Sequence, residues 1–319
     1  MNHIERSQRN LFSSATIDRT ARTLGDNDKL TALMENDRAR FLPIWRDKVL
    51  VLKKHGCLKQ DGIRKHELAS RFNFVTIPVY LGYKDEIHYF AVGVEPESEE
   101  LRNFIDLRHS AKLLTDHETA LLGYALAMLT WHRHYKYCGL CGSLTHAWQG
   151  GHVLKCTNPE CMREHYPRTD PAIIVLVQHQ DRALFGRKAE WPAFRYSTIA
   201  GFIEPGESAE QAVVREVSEE TGVQVTASSY HSSQPWPFST SLMFGYMAQA
   251  GRPTNIQLHD NELEDAQWLS RKEIVDRLLA SSFLPPASIS ISFRLIEDWF
   301  DQDSAIPFRV LCENNTTSA

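Results

Sequence analysis

The chain has 319 residues, 42% hydrophobic and 24% charged, with a formal net charge of −5 at pH 7. That length and apolar content allow two or three packed globular units and exclude a globally disordered chain. The acidic balance argues against a general affinity for nucleic-acid backbones, which leaves only local basic clusters as candidates for such contact.

In chain order, residues 1 to about 30 are polar and are expected to fray, and the start Met1-Asn2-His3-Ile4 has no apolar core of the kind a secretory leader needs. A cytoplasmic location is therefore expected. Residues 74–81 and 87–92 are apolar runs separated by the turn residues 82–86, which predicts a hairpin with Pro78 marking an edge or a bulge. Thr115 and Glu118 form a capping box that opens a helix. The apolar run inside it, residues 120–131, is too short to span a bilayer, so no membrane partner is expected. His132, Arg133, His134 and Lys136 follow; they could meet an RNA backbone, and a solvated helix end accounts for them equally.

Cys138 and Cys141, then Cys156 and Cys161, are two cysteine pairs fourteen residues apart, with Gly139 and Gly142 permitting the tight turns of a knuckle. With no leader to favour disulfides, the spacing predicts a closed four-thiolate Zn²⁺ ribbon. Cys57 and Cys312 have no motif around them and are expected to be ordinary free thiols. Residues 172–177 read as a buried strand, residues 242–248 and 266–269 as further strands. Ser270 and Glu273 cap another helix, and Phe293, Leu295, Ile296, Trp299 and Phe300 give a closing helix its apolar side.

Residues 201–223 carry six glutamates and one arginine between glycines. Ser208 with Gln211 caps a helix that Gly222 ends, and on it Glu216, Glu219 and Glu220 stand at i, i+3 and i+4 on one face. Like charges that close repel, and a divalent cation relieves them; hard oxygen ligands suit Mg²⁺ or Mn²⁺. Most charge runs are solvated faces, but here the spacing from Gly201 through Glu207 to Arg215-Glu216 and Glu219-Glu220 resembles the Nudix box at every defined position. That resemblance implies hydrolysis of a nucleoside diphosphate linked to another group. It further implies that Arg215 holds Glu207, that Glu216 and Glu220 bind metal, that Glu219 is a further ligand or the general base, and that the Ala200 carbonyl completes the site.

The stretch Ser233, Gln234, Pro235, Trp236, Pro237, Phe238, Ser239, Thr240, Ser241 resembles the signature of the NADH pyrophosphatase branch of that family, departing from it only at Ser239. Two prolines between large aromatics make a stiff segment, read here as a loop that grips a planar ring. The likeness runs over residues 135–299 and implies that Tyr166 and Phe202 hold the substrate, that Ser292 lies at the substrate site, and that Glu262 is one more metal ligand. The expected fold is α/β: a Nudix α/β/α sandwich with a mixed sheet at 169–319, preceded by a zinc ribbon at 131–168 and an N-terminal α+β domain at 1–130. The expected activity is cleavage of NADH or NAD⁺ and related dinucleotides to nicotinamide mononucleotide and AMP by a homodimer. NAD-capped RNA is an alternative substrate, as is a broad range including ADP-ribose. A nucleotide-sensing module with a nucleic-acid-binding ribbon is a more distant reading, which the intact glutamates oppose.

Overall fold

The computed structural model describes residues 1–13, 15–19, 27–54, 57–59, 62–111, 113–252, 255–259 and 262–316. Two compact units divide the chain: Leu11–Thr169 with Trp236–Thr240, and Met1–Asn10 with Asp170–Pro235 and Ser241–Ala319. Among the described residues no helix is long and apolar enough to cross a membrane.

The N-terminal unit is built on a six-stranded sheet in the order Phe72–Phe74, Ile87–Pro96, Ala39–Trp45, Lys48–Leu50, Phe104–Asp106, with Val79–Lys84 also paired to Ile87–Pro96. Ala39–Trp45 runs parallel to Ile87–Pro96, and alternation along it sends Leu42 and Ile44 into one apolar cluster and Ala39 and Phe41 into another. The helix Asp116–His134 covers the first cluster with Leu122, Ala125, Leu126 and Leu129, and its predicted capping box is formed by Thr115 and Glu118. Leu68, near the middle of the helix Lys65–Arg71, closes the second.

The predicted hairpin is present, with one correction. Residues 74–81 do not form a single strand: Phe74 ends one strand, and the next begins at Val79, directly after Pro78, which has no N–H to offer a ladder. Between them Thr76 Oγ1 accepts from the Gly93 N–H at 2.8 Å, replacing a backbone partner. The bulge falls between Tyr80 and Gly82. A three-stranded antiparallel ribbon, Thr145–Trp148, Val153–Cys156 and Glu164–His165, completes this unit, and its Leu154 shares the cluster of Leu42, Val79 and Trp131.

The C-terminal unit is an α/β/α sandwich. Its six-stranded mixed sheet has the order Val225–Trp236, Ser241–Ala250, Asp170–His179, Arg182–Arg187, Asp265–Ser270, with Ile199–Phe202 also on Asp170–His179. The central strand is parallel to Ser241–Ala250 and antiparallel to Ile199–Phe202. Ile173, Val175 and Val177 face the helix Ala209–Thr221 through Ala212, Val213 and Val217, while Ile174 and Leu176 face the helix Ile291–Phe300 through Phe293, Ile296 and Trp299. The helices expected after Ser270 and around Phe293 are both present, the first with its capping box. A further helix, Phe308–Thr316, packs Phe308 on Phe293 and Phe300.

The polar N-terminus carries a helix that composition alone did not indicate: Asn2 and Glu5 form a capping box for His3–Arg9, and Arg9 reaches Asp298 at 3.0 Å and Glu297 at 3.3 Å. Asn10 is buried, its amide donating to Ser232 Oγ and the Ser233 carbonyl. Long-range pairing thus supplies what local propensity lacks, although residues 20–26 of the stretch expected to fray lie outside the described residues. The stretch 233–241 is not the loop expected: residues through Trp236 end a twelve-residue strand, 237–240 turn, and Ser241 opens the next strand.

Candidate active site and metal centres

Helix Ala209–Thr221 starts where Ser208 Oγ accepts from the Gln211 N–H and Gln211 returns a bond to the Ser208 N–H, and it ends at Gly222, whose φ of 69° favours a residue without a Cβ. With Val213 and Val217 buried against the sheet, the three glutamates fall at graded depth. Glu220 is 2% exposed, the Glu216 side chain 12% and the Glu219 side chain 54%. Strand Ile199–Phe202 runs so close that a Cβ at position 201 would lie 1.9 Å from the Glu216 carboxyl carbon, which accounts for glycine there. The same approach sets Ala200 beside the carboxylates' helix on the strand Ile199–Phe202.

Arg215 ties loop to helix. Its Nε donates to Glu207 at 2.8 Å, Nη1 to Glu216 and Glu219 at 2.9 Å each, and Nη2 to the Phe202 carbonyl at 2.9 Å. The Glu207 bond leads in raising the pKa of the guanidinium, which is a fixed cation. Burial pushes the Glu216 carboxyl above its ordinary value; Arg215 pulls it back only in part, and Glu219 and Glu262 add repulsion. Glu262 is exposed and pairs with Lys188 Nζ at 3.1 Å. Glu216, Glu220, Glu262 and the Ala200 carbonyl each offer a hard oxygen, the donor type that suits Mg²⁺ or Mn²⁺, but among the described residues the carboxylates do not draw together into one ligand group. Arg215 and Lys188 supply the positive charge among them.

The four ribbon cysteines converge so that all sulfurs lie within 4.8 Å of one another, the one such ligand group among the described residues. Cys138 and Cys161 are 3.8 Å apart and Cys141 and Cys156 3.4 Å, far beyond a disulfide bond. The Cys141 and Leu140 N–H groups hold the Cys138 thiol down, and Ser143 holds that of Cys141 at about 6. His165 Nε2 lies 3.3 Å from the Cys138 sulfur, a support that no spacing rule indicated. Four cysteine sulfurs gathered this closely fit Zn²⁺. Burial pushes the Cys312 thiol up to about 12. Cys57 lies on the strand Cys57–Lys59, and its side chain is outside the described residues.

The residues expected to hold substrate divide into two kinds. Phe202 is 58% exposed, and so is Tyr166 at 60%, its hydroxyl donating to Glu164 at 2.8 Å. The signature stretch is mostly occupied with packing. Gln234 is buried and clamps the start of helix Ile291–Phe300, donating to the Ile289 carbonyl and accepting from the Ile291 N–H. Trp236 and Phe238 meet edge to face at 5.0 Å and both abut Phe12, in the cluster of the N-terminal unit. Arg108 stacks 4.0 Å over the Phe238 ring, and Pro237 is buried near Gly123. Pro235 and Ser239 are exposed, Thr240 takes a φ of 55° in the turn, and Ser241 is buried. Ser292 Oγ bonds Ser197 and Thr198, bracing the entry to strand Ile199–Phe202.

An α/β/α sandwich carrying this glutamate helix and its arginine clamp defines a Nudix domain. Residues 167–287 match the NUDIX domain model and residues 38–131 that of the NADH pyrophosphatase-like rudimentary NUDIX domain, and the chain belongs to the Nudix family. Among relatives, the NAD-capped RNA hydrolase NUDT12 of Macaca fascicularis is 38% identical over 232 residues, which is 67% of this chain and 50% of that protein. The NAD-capped RNA hydrolase NudC of Stutzerimonas stutzeri is 44% identical over 178 residues, 56% of this chain and 60% of that protein. Its namesake in Mycobacterium bovis is 38% identical over 204 residues, 61% and 64% of the two chains. The chain therefore spans about half to two thirds of the length of these relatives.

Proposed function

We propose that this chain is a divalent-metal-dependent hydrolase that cleaves the diphosphate of NADH or NAD⁺ to nicotinamide mononucleotide and AMP. The observation that carries the reading is Arg215 holding Glu207, Glu216 and Glu219 against strand Ile199–Phe202, with buried Glu220 beside them. Glu216, Glu220 and Glu262, with the Ala200 carbonyl, would hold Mg²⁺ or Mn²⁺. When bound, such an ion neutralises diphosphate oxygens and acidifies water. Glu219, the most exposed glutamate of the three on the helix, accepts the proton of the attacking water, and Arg215 keeps its carboxylate aimed. Phe202 is the exposed ring of the C-terminal unit left to stack on a planar group of the substrate, and Tyr166 is an exposed ring offered for the same purpose by the N-terminal unit. Zn²⁺ in the ribbon is structural, since four thiolates leave no open position.

The relatives' names favour a second substrate for the same chemistry, RNA carrying a 5′ NAD cap. The reading also includes a cytoplasmic location, which free, metal-spaced cysteines suit, and a homodimer of chains organised as an N-terminal domain, ribbon and catalytic domain. The test is kcat/KM for NADH, NAD⁺, ADP-ribose and NAD-capped RNA with Mg²⁺ and with Mn²⁺. Higher values for the dinucleotides or the capped RNA than for ADP-ribose support the reading, and indifference among all four would replace it with a broad dinucleotide pyrophosphatase.

A further inference from the structure

Lys188 directly follows the strand Arg182–Arg187, whose last residue pairs with Asp265. The Glu264 N–H donates to the Arg187 carbonyl at 2.9 Å, and this backbone register brings the side chains of Lys188 and Glu262 together, Nζ 3.1 Å from Oε2. The neighbouring cation is committed elsewhere: Arg187 bonds Glu264 at 2.6 Å and the Pro192 carbonyl at 2.8 Å. Lys188 also lies within electrostatic reach of Glu220 and Glu190, and Glu262 within reach of Glu216. The Lys188 and Glu262 side chains are 31% and 54% exposed, so as an ordinary ion pair they add little to the fold. Their position matters more, because a positive charge among the ligand carboxylates opposes any cation that would use them.

We propose that Lys188 is a built-in competitor for the divalent cation at Glu262: its ammonium neutralises that carboxylate while no cation is bound, and the cation must displace it before Glu262 can join Glu216 and Glu220. The inference rests on reading Glu262 as a metal ligand and is independent of which dinucleotide is cleaved. Lys188 thereby sets the cation concentration at which the site fills, and once displaced its ammonium remains on the same wall as a positive group for an anionic substrate.

The test is calorimetric titration of Mn²⁺ into the full chain without substrate, for the wild type, Lys188→Met, Lys188→Arg, Glu262→Gln and the Lys188→Met/Glu262→Gln double variant. Lys188→Met keeps an apolar stem and should bind its weakest Mn²⁺ about tenfold more tightly, while Lys188→Arg should stay near wild type. In the Glu262→Gln background the Lys188→Met gain should vanish. Unchanged Mn²⁺ affinity in Lys188→Met, or a gain that persists without Glu262, overturns the competition and leaves the metal site standing. Absence of Mn²⁺ binding in the wild type and every variant overturns the metal site and the competition together.

Discussion

Glu216 shows how burial and neighbouring charges bear on a single carboxylate. Burial raises its pKa, two further glutamates repel it, and one guanidinium holds it in place, so the charged form is under tension until more positive charge arrives. Glu216→Gln or Glu220→Gln should therefore lower kcat by on the order of a hundredfold or more with the fold retained, since each removes a charge that stabilises the transition state. Near-normal turnover at saturating Mg²⁺ in either variant would refute the ligand assignment. Gly201 acts on the same carboxylate by absence. An added methyl would collide with Glu216, so Gly201→Ala should displace it and cost roughly a hundredfold in kcat, a loss that more metal does not restore. A crystal structure of that variant with Glu216 unmoved would sink the argument.

At the scale of elements, the signature hairpin and the N-terminal helix are both used to brace other parts of the fold. Trp236 spends its ring on Phe238 and Phe12, whereas Phe202 leaves its ring open. Trp236→Ala should then lower the thermal midpoint and reduce activity on NADH and ADP-ribose alike. Phe202→Ala should raise KM for the dinucleotide by about tenfold with kcat little changed, the scale of one lost stacking contact. The reverse pattern would return the gripping role to Trp236. In the helix clamp, burial pushes the Asp298 carboxyl up, but the His231 hydrogen bond and Arg9 outweigh it and hold the pKa below the ordinary 3.8. A carboxylate whose folded pKa is depressed contributes stability above its unfolded pKa and loses it as pH falls through the folded value. Asp298→Asn should thus cost about 1–3 kcal/mol at pH 7, and chemical denaturation should find the gap from wild type closing below about pH 4. A gap constant with pH would mean that shape, not charge, sustains the clamp.

These cases also mark what the sequence carries. The glutamate helix, the ribbon and the Thr115 helix are legible because caps and ligand spacings are local. The strand Val225–Trp236 is not, since Ser228, Ser229, Ser232 and Ser233 give it no apolar alternation. Arg9 finds Glu297 only through the tertiary fold, and Lys188 finds Glu262 only through the register of two strands. Spacing named the ribbon's cysteines, yet its reach into the apolar cluster of the first unit depends on where Leu154 and Trp131 end up.

For the whole molecule, that shared cluster decides how a metal in the ribbon matters. Leu154 on the ribbon, Trp131 on the long helix, and Leu42 and Val79 on the sheet are all buried in one core, so the ribbon and the N-terminal sheet cannot loosen independently. The C-terminal unit has its own two clusters, built on Ile173 and Ile174 and their neighbours. Loss of Zn²⁺ should therefore weaken the N-terminal unit as a body. Cys156→Ser, or treatment with a strong chelator, should raise hydrogen exchange along the strand Val79–Lys84 and the helix Asp116–His134 as well as in the ribbon, with the strand Asp170–His179 still protected. Wild-type protein should hold about one zinc per chain, as the four-ligand rule requires. If exchange rose in the ribbon alone, the shared core would be energetically unimportant; if it rose equally in Asp170–His179, the two units would unfold as one.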